Sequence, residues 1–245
     1  MEPMWAAFTA KDLIGVPPNT IWRKQIAPSL HWFEAFFAGK GNHLERFFRV
    51  DAYTRSGTTI EIGTDASPWG LGGWLSVNRG ITHAFACPIT SEDVKMFNMP
   101  IGSADGQQLW ECLAILVAID IWSKLWNQQR IILKVRSDNV GALTLLLKMR
   151  PANATIAIVA RELALRLAEL SFPPDAVHTP GVAHVLADRL SRVYAPGGTG
   201  TVTKDLHPAL ASAQLTEVLV LVPAWYKATQ QTPPPADDDK WGICG

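Results

Sequence analysis

The sequence has no excess of charge of either sign and few cysteines, and each shortage excludes a class of protein. Lysine and arginine together number 22, as do aspartate and glutamate, so no overall positive field indicates nucleic-acid binding. Only a local basic patch could supply such a field. The three cysteines lie far apart, form no CxxC pair and belong to no Cys/His cluster with zinc spacing. This pattern excludes a disulfide scaffold and a zinc module.

Long apolar runs are also missing. No stretch reaches the roughly 18 apolar residues that a membrane-spanning helix needs, and no signal-peptide pattern opens the chain. The most apolar stretch, residues 109–122, is interrupted by Glu111 and Asp120. We therefore expect a soluble, intracellular protein, cytoplasmic or nuclear, with reduced cysteines and no membrane partner.

Composition divides the chain into three zones. Residues 1–57 form a leader or connection segment, in which the spacing of leucine and phenylalanine at 29–38 predicts a helix with an aromatic face. Residues 58–194 carry the regular hydrophobic patterns of a folded domain. In residues 195–245, proline and glycine indicate a linker, 206–222 predicts a short helix, and the prolines and aspartates near the end predict a disordered tail.

Strand and helix patterns follow one another between residues 58 and 194. Apolar residues at every second position predict strands, and apolar residues at helical spacing predict helices. The predicted elements are strands at 58–64, 70–77 and 81–89, a helix at 107–126, a strand at 131–135, helices at 140–149 and 155–171, a strand at 176–178 and a helix at 182–193. We expect an α/β domain with a mixed five-stranded sheet, three antiparallel strands followed by parallel additions, flanked by helices.

Two carboxylates are notable in the first half of this domain. Asp65 ends the first predicted strand, a position that aspartate also occupies in ordinary turns. Glu111 lies in a helix that is apolar on almost all sides, where an unpaired carboxylate is costly. It therefore needs a cation, a hydrogen-bond network or a solvated opening. Asp120 lies on the same helix but about 180° further round, so it cannot share a site with Glu111.

Two further carboxylates occur in the second half. Asp138 stands between a predicted strand and a predicted helix, at the end of a strand where open α/β sheets form ligand sites. A helix N-cap is the simpler interpretation of Asp138. Asp188 lies in the last predicted helix, with His184 and Arg192 one turn on either side. A surface salt bridge with Arg192 is the simpler interpretation of Asp188.

Four segments of the domain, taken in order, resemble a known family. They read Thr64-Asp-Ala-Ser-Pro-Trp-Gly-Leu-Gly-Gly, Trp110-Glu-Cys-Leu-Ala, Arg136-Ser-Asp-Asn-Val-Gly-Ala, and His178-Thr-Pro-Gly-Val-Ala-His-Val-Leu-Ala-Asp-Arg-Leu-Ser-Arg. These segments are similar to the ribonuclease H fold, and most closely to the ribonuclease H domain that follows reverse transcriptase in retrotransposons. The resemblance covers residues 58–194.

The resemblance implies a ribonuclease H-like fold and an endonuclease that hydrolyses the RNA strand of RNA/DNA hybrids. It implies that Asp65, Glu111, Asp138 and Asp188 are the catalytic residues and the ligands of two Mg²⁺ ions, with Mn²⁺ able to substitute. Carboxylate oxygens suit Mg²⁺, and a pair of such ions can stabilise both the attacking and the leaving oxygen of a phosphodiester. The implied partners are the hybrid and a reverse transcriptase polymerase domain.

The candidate substrate-binding residues are Ser67, Asn139, His184 and Arg192. The first two follow from the resemblance, which implies recognition through shape and 2′-hydroxyl contacts. The other two project to a similar side as Asp188. The chain departs from the family at His184, where asparagine is usual. It also departs in the short loop before the last helix, which lacks the mobile histidine of many members. His178 and His184 are the candidates to replace that histidine.

These departures leave a second interpretation open. A catalytically inactive ribonuclease H-like module from a decayed retroelement, kept for connection or for nucleic-acid binding, would have the same fold. The presence of all four acids favours an enzyme. The equal numbers of basic and acidic residues within 58–194 and the missing loop histidine favour the inactive module. Weak hybrid binding by the isolated domain is expected, because few positive charges face the phosphates.

Overall fold

A computed structural model of the chain describes residues 20–22, 26–27, 29–30, 33–34, 37, 50, 54, 56–126, 131–170, 173–217 and 241–243. The chain divides into two compact units, one made of Met1–His43 with Tyr226–Gly245 and the other of Leu44–Trp225. In the first unit, the short strands Thr20–Trp22 and Trp241–Ile243 pair antiparallel. All elements labelled below lie in the second unit.

The second unit is built on a six-stranded mixed sheet. Its strands are β1 (Thr58–Ser67), β2 (Gly70–Val77), β3 (Gly80–Pro88), β4 (Ile131–Ser137), β5 (Asp175–His178) and β6 (Gln214–Glu217). They lie in the order β5-β4-β1-β2-β3-β6. Strands β1, β2 and β3 form an antiparallel meander, whereas β4, β5 and β6 each join by parallel pairing. The mixed sheet predicted from the sequence is therefore confirmed.

A two-residue turn joins β2 to β3. Val77 pairs with Gly80, and the residues between them, Asn78 and Arg79, have φ values of 49° and 74°. Two successive residues in the left-handed region form the turn whose twist matches that of paired strands. The backbone N–H of Asn78 donates to the carbonyl oxygen of Thr59 at 2.9 Å. This bond fastens the hairpin turn to the start of β1.

Five α-helices flank the sheet in the described part of this unit. They are α1 (Ser91–Phe97), α2 (Gln107–Trp126), α3 (Val140–Lys148), α4 (Ala154–Glu169) and α5 (Val185–Ser191). Helix α2 packs on β1 and β2 and against α3 and α4. Every residue from Leu109 to Ile119 is buried, which explains why the helix is apolar on all sides. Its ends agree with the prediction.

Helix α5 lies unusually close to β2. A Cβ atom added to Gly72 would lie 2.3 Å from the backbone nitrogen of Ser191, so only glycine fits at this point. Helix α5 also contributes Leu186 and Leu190 to a small core with Ala84 and Leu210. Residues that follow the predicted domain end therefore pack beneath α5.

The C-terminal part of this unit corrects one prediction. The short helix predicted at 206–222 is wrong in its described part. Two 3-10 turns, Lys204–Leu206 and Pro208–Leu210, lead instead into strand β6. Proline opens the second turn, and the β6 backbone satisfies the hydrogen-bonding groups at the edge of β3. The sheet consequently has six strands rather than the five predicted.

Two helices also differ from prediction. Helix α1 was not predicted, although Thr90 and Asp93 form a capping box at its start. The last helix begins at Val185 rather than at residue 182, because Gly181–Ala183 forms a 3-10 turn.

Some predictions fall on other parts of the chain. The aromatic helix predicted at 29–38 lies partly outside the described residues. The prolines and aspartates of the predicted disordered tail precede Trp241–Ile243 and also lie outside the described residues. The domain boundaries at 57 and 194 stay predictions. Within the described residues, no helix combines the length and the apolar character required to cross a membrane.

Candidate metal centre

Three carboxylates meet at one end of the sheet. Strands β1 and β4 are parallel neighbours, and their last registered pair is Gly63 with Arg136. Asp65 and Asp138 each follow two residues later, so the register brings them to the same place. Helix α2 adds Glu111, and one carboxylate oxygen from each of the three acids lies within 4.8 Å of the others. This convergence is what a cation with oxygen ligands requires.

Burial makes two carboxylates of this cluster, Asp65 and Glu111, hard to ionise. Asp65 is 5% exposed and Glu111 is 2% exposed, whereas Asp138 is half-buried. Burial, followed by repulsion from Asp65 and Asp138, raises the pKa of Glu111 to about 9. Burial also raises the pKa of Asp65 to about 6, against the opposing effect of a hydrogen bond from Ser191. A bound cation would oppose both shifts, because its positive charge favours the ionised carboxylates.

The residues present fit a metal ion. Oε2 of Glu111 is buried and has no hydrogen-bond partner within the described structure. No lysine or arginine in the described ranges forms an ion pair with Asp65, Glu111 or Asp138. A buried carboxylate without a partner is costly, so these oxygens are suited to a divalent cation such as Mg²⁺.

Two residues that the sequence analysis missed hold the acids in place. Nε2 of Gln107 donates to Oε1 of Glu111 at 3.0 Å and to the carbonyl oxygen of Ala66 at 2.6 Å. Oγ of Ser191 lies 2.8 Å from Oδ2 of Asp65. Gln107 precedes Glu111 by four residues, the spacing at which side chains on a helix meet, so this partner could have been found from the sequence.

Asp188 stands apart from the three other predicted ligands. It lies on α5, and its Oδ1 accepts a hydrogen bond from Nε of Arg192 at 2.7 Å. Its side chain is 44% exposed, and it does not share the 4.8 Å cluster. The negative charge of Asp188 nevertheless contributes to the raised pKa of Asp65, so the two carboxylates are close enough to interact. Asp188 therefore lies at the rim of the centre.

Two predicted substrate-binding residues, Ser67 and His184, have buried side chains. Ser67 is 1% exposed, and its hydroxyl donates to the carbonyl oxygen of Ser191 at 2.7 Å and accepts from the backbone of the β1–β2 turn. His184 is 3% exposed, and its Nε2 lies 2.7 Å from the carbonyl oxygen of Thr64. Both side chains fasten α5 to β1, and their role in substrate binding stays a prediction.

The other two predicted contacts remain accessible. Asn139 caps α3, since its Oδ1 accepts from the backbone N–H of Ala142 at 3.0 Å, and its side chain is half-buried. Arg192 is exposed and pairs with Asp188. His178 is exposed at the end of β5. Asn139 follows strand β4 and His178 ends strand β5, and of these three residues only Arg192 is paired with one of the four acids.

Comparisons with known proteins give structural matches alone. No protein-family model and no curated protein matches the chain. LC11-RNase H1 in complex with an RNA/DNA hybrid matches with a TM-score of 0.43 and 16% identity, over 54% of this chain and 92% of that one. RNase H1 from Halobacterium salinarum matches with a TM-score of 0.40 and 14% identity, over 56% of this chain and 96% of that one. The foamy viral protease-reverse transcriptase matches with a TM-score of 0.32 and 11% identity, over 73% of this chain and 29% of that one.

The arrangement of the strands decides the architecture. Strands β1, β2 and β3 form an antiparallel meander, and its first strand lies in the interior of the sheet. Parallel strands extend the sheet beyond both sides of this meander, and helices pack against the sheet. The second unit has a ribonuclease H-like fold. In this ribonuclease H-like unit the three clustered acids occupy the carboxyl ends of β1 and β4 and the first turns of α2, where the sequence resemblance implied them.

Proposed function

We propose that this protein hydrolyses the RNA strand of RNA/DNA hybrids as an endonuclease of the ribonuclease H type. The observation that carries the proposal is the cluster of Asp65, Glu111 and Asp138, which come from three separate elements and form no ion pair with a lysine or arginine in the described structure. The four sequence segments that resemble ribonuclease H domains contain all three residues. A structural role alone would not gather three repelling carboxylates in a buried place.

The proposed centre would hold Mg²⁺ through the oxygens of Asp65, Glu111 and Asp138, with Asp188 at its rim. Two bound Mg²⁺ ions, for which Mn²⁺ can substitute, would supply charge that stabilises the attacking and leaving oxygens of the phosphodiester. Gln107 orients Glu111 through its amide N–H, and the hydroxyl of Ser191 orients Asp65. Such outer contacts fix ligands in the position that the metal needs.

The proposed substrate enters from the open side of the cluster. Arg192 is exposed beside Asp188 and can meet a phosphate of the hybrid, at the cost of its present ion pair. Asn139 is placed directly after Asp138 and offers its amide to a 2′-hydroxyl or a base edge. The proposed nuclease domain spans residues 58–194. From the sequence motifs, we further propose that this domain works beside a retroelement reverse transcriptase polymerase domain, with residues 1–57 as the connection.

Cleavage of a labelled RNA/DNA hybrid tests the proposal. The wild-type protein should cut the RNA strand in Mg²⁺ or Mn²⁺, and Asp138→Asn should abolish cutting without unfolding the protein. Asp205→Asn is the matched control, because Asp205 is exposed on a 3-10 turn after the proposed domain. Absence of cleavage by a folded wild-type protein in both metals would instead support an inactive connecting or nucleic-acid-binding module.

A further inference from the structure

A cleft of about 550 Å³ opens over the first half of β1, away from the carboxylate cluster. Its lining residues are Thr59, Glu61, Asn78, Arg79, Lys134 and Arg136. They come from three places: the start of β1, the turn between β2 and β3, and strand β4. The register pairs Glu61 with Lys134, so both side chains lie on the same face of the sheet.

Positive charge exceeds negative charge in this cleft. Three cations, Arg79, Lys134 and Arg136, line the cleft, which has a single carboxylate, that of Glu61. Nε of Arg136 donates to Oε2 of Glu61 at 2.8 Å, and Nζ of Lys134 lies 3.6 Å from Oε1. One carboxylate cannot neutralise three cations. Glu61 instead holds two of them side by side, with a surplus of two positive charges facing the cleft.

Arg79 has a conformation that its residue type disfavours. It occupies the second position of the hairpin turn with a φ of 74°, where glycine is favoured and an arginine backbone is strained. Its side chain makes no hydrogen bond or ion pair to any residue that the structure describes. No side-chain contact within the described structure therefore compensates for the strained backbone of Arg79. An external ligand would explain an exposed guanidinium at this position.

The cleft is separate from the candidate metal centre. Glu61 and Asp65 are four residues apart on β1, which corresponds to about 13 Å along a strand. Glu61 pairs with Ser76 of β2, whereas Asp65 pairs with Gly72, where α5 approaches the sheet. A ligand in the cleft would therefore bind without touching the three clustered carboxylates.

We propose that this cleft is a binding site for a phosphate group. Arginine presents paired N–H donors that match phosphate oxygens, and a lysine beside it adds a point charge. The amide of Asn78 and the hydroxyl of Thr59 add uncharged donors at the rim. The volume suits a group of nucleotide size, either a free nucleotide or a segment of polynucleotide backbone. The assignment does not depend on the proposed nuclease activity.

Binding to the full chain without divalent metal tests this site. Three probes are titrated separately: pyrophosphate, adenosine monophosphate and a short labelled RNA/DNA hybrid. The test variant is Arg79→Gly, because glycine suits the turn and removes the side chain without disturbing the fold. Lys95→Gln is the matched control, since Lys95 is an exposed cation that pairs with Glu92 on α1, outside the cleft. All titrations are repeated with Asp138→Asn.

The site is supported if a probe binds saturably and Arg79→Gly weakens that binding about tenfold while Lys95→Gln leaves it unchanged. Binding of a small probe would identify a free nucleotide or phosphate as the ligand. Binding of the hybrid alone would identify polynucleotide backbone as the ligand. In that case the slope of log affinity against log salt concentration should fall by about one in Arg79→Gly. Absence of binding by every probe, or equal affinity of Arg79→Gly and Lys95→Gln, overturns the proposal. Asp138→Asn should bind pyrophosphate and adenosine monophosphate like wild type, so loss of the proposed nuclease activity and loss of this site are distinguishable.

Discussion

Oγ of Ser191 lies 2.8 Å from Oδ2 of Asp65, although 126 positions separate the two residues in the chain. The same hydroxyl lies 2.9 Å from the carbonyl oxygen of Asp188. Helix α5 and strand β1 are thus joined at the carboxylate that the metal would use. The position of α5 consequently controls the geometry of the candidate centre, together with the buried contact of His184 with Thr64.

Replacing Ser191 with alanine should weaken the centre without removing a ligand. Asp65 would lose a hydrogen bond that favours its charged form, so higher Mg²⁺ concentrations would be needed for half-maximal cleavage, by about tenfold. The measurement is the rate of hybrid cleavage against Mg²⁺ concentration. Ser123→Ala is the control, because Oγ of Ser123 also bonds the carbonyl oxygen three residues earlier but lies at the far end of α2. Equal metal dependence in both variants would show that the hydroxyl does not orient Asp65.

The metal-free protein should lose stability as the pH rises. The folded pKa values of Asp65 and Glu111 are about 6 and about 9, above the ordinary values of 3.8 for aspartate and 4.5 for glutamate. The folded state therefore binds more protons than the unfolded state between about pH 4 and pH 9. The free energy of unfolding contributed by these groups is largest below pH 4 and falls as the pH rises through both values. Denaturation in urea with EDTA, at a series of pH values, measures this slope.

Added Mg²⁺ should reverse the loss at alkaline pH. At pH 8 a Mg²⁺ concentration ten times the dissociation constant would stabilise the folded state by about 1.4 kcal/mol, and much less at pH 5, where protons compete. Glu111→Gln provides the comparison, since it removes the carboxyl with the larger shift and should flatten the pH dependence. A wild-type slope that equals that of Glu111→Gln would contradict the burial argument.

The two acids of α2 should behave differently when mutated. Asp120 forms an ion pair with Arg166 of α4, on the side of the helix away from Glu111. Asp120→Asn should keep hybrid cleavage close to that of wild type, but should lower the free energy of unfolding by about 1 to 2 kcal/mol, because Arg166 is buried. Glu111→Gln should abolish cleavage. Urea denaturation and cleavage assays on both variants check the two effects, and loss of activity in Asp120→Asn would contradict the separation.

Adding one methyl group at Gly72 should disturb α5. The new Cβ would meet the backbone of Leu190 and Ser191, which cannot move as a side-chain tip could. We expect Gly72→Ala to lower the free energy of unfolding by about 1 to 3 kcal/mol and to reduce cleavage, because Ser191 would shift from Asp65. Gly80→Ala is the control, since the nearest atom to its Cβ would be 3.6 Å away. Thermal unfolding of both variants distinguishes local crowding from a general effect of alanine.

Long buried elements were predictable from the sequence, whereas short ones were not. Helix α2 was predicted with correct ends because its apolar residues continue for five turns. Strand β6 has four residues, and a pattern of that length has no clear period. Helix α1 has seven residues and depends on its capping box, in which Asp93 serves as partner of Thr90. Such local hydrogen bonds leave a weaker trace than a hydrophobic face does.

The candidate site was predictable to the extent that the backbone determines it. The strand ends and the helix bring Asp65, Glu111 and Asp138 together. Side-chain partners were harder, because the sequence does not tell which polar group lies across from another residue far along the chain. Ser67 and His184 were therefore interpreted as substrate contacts, although their nearest partners are backbone carbonyl oxygens. Asp188 was predicted as a ligand and pairs with Arg192, the simpler interpretation of its helical spacing.

Strand β6 has a consequence for any shortened form of the protein. A chain ending at residue 194 would keep all four acids but lose the strand that covers the outer edge of β3. Leu210 would also be lost, and Leu190 would become accessible to water. The exposed N–H and C=O groups of β3 could then pair with the same edge of another copy. The minimal nuclease suggested by the motifs would thus tend to self-associate through β-strand addition, and its first failure would be insolubility rather than loss of chemistry.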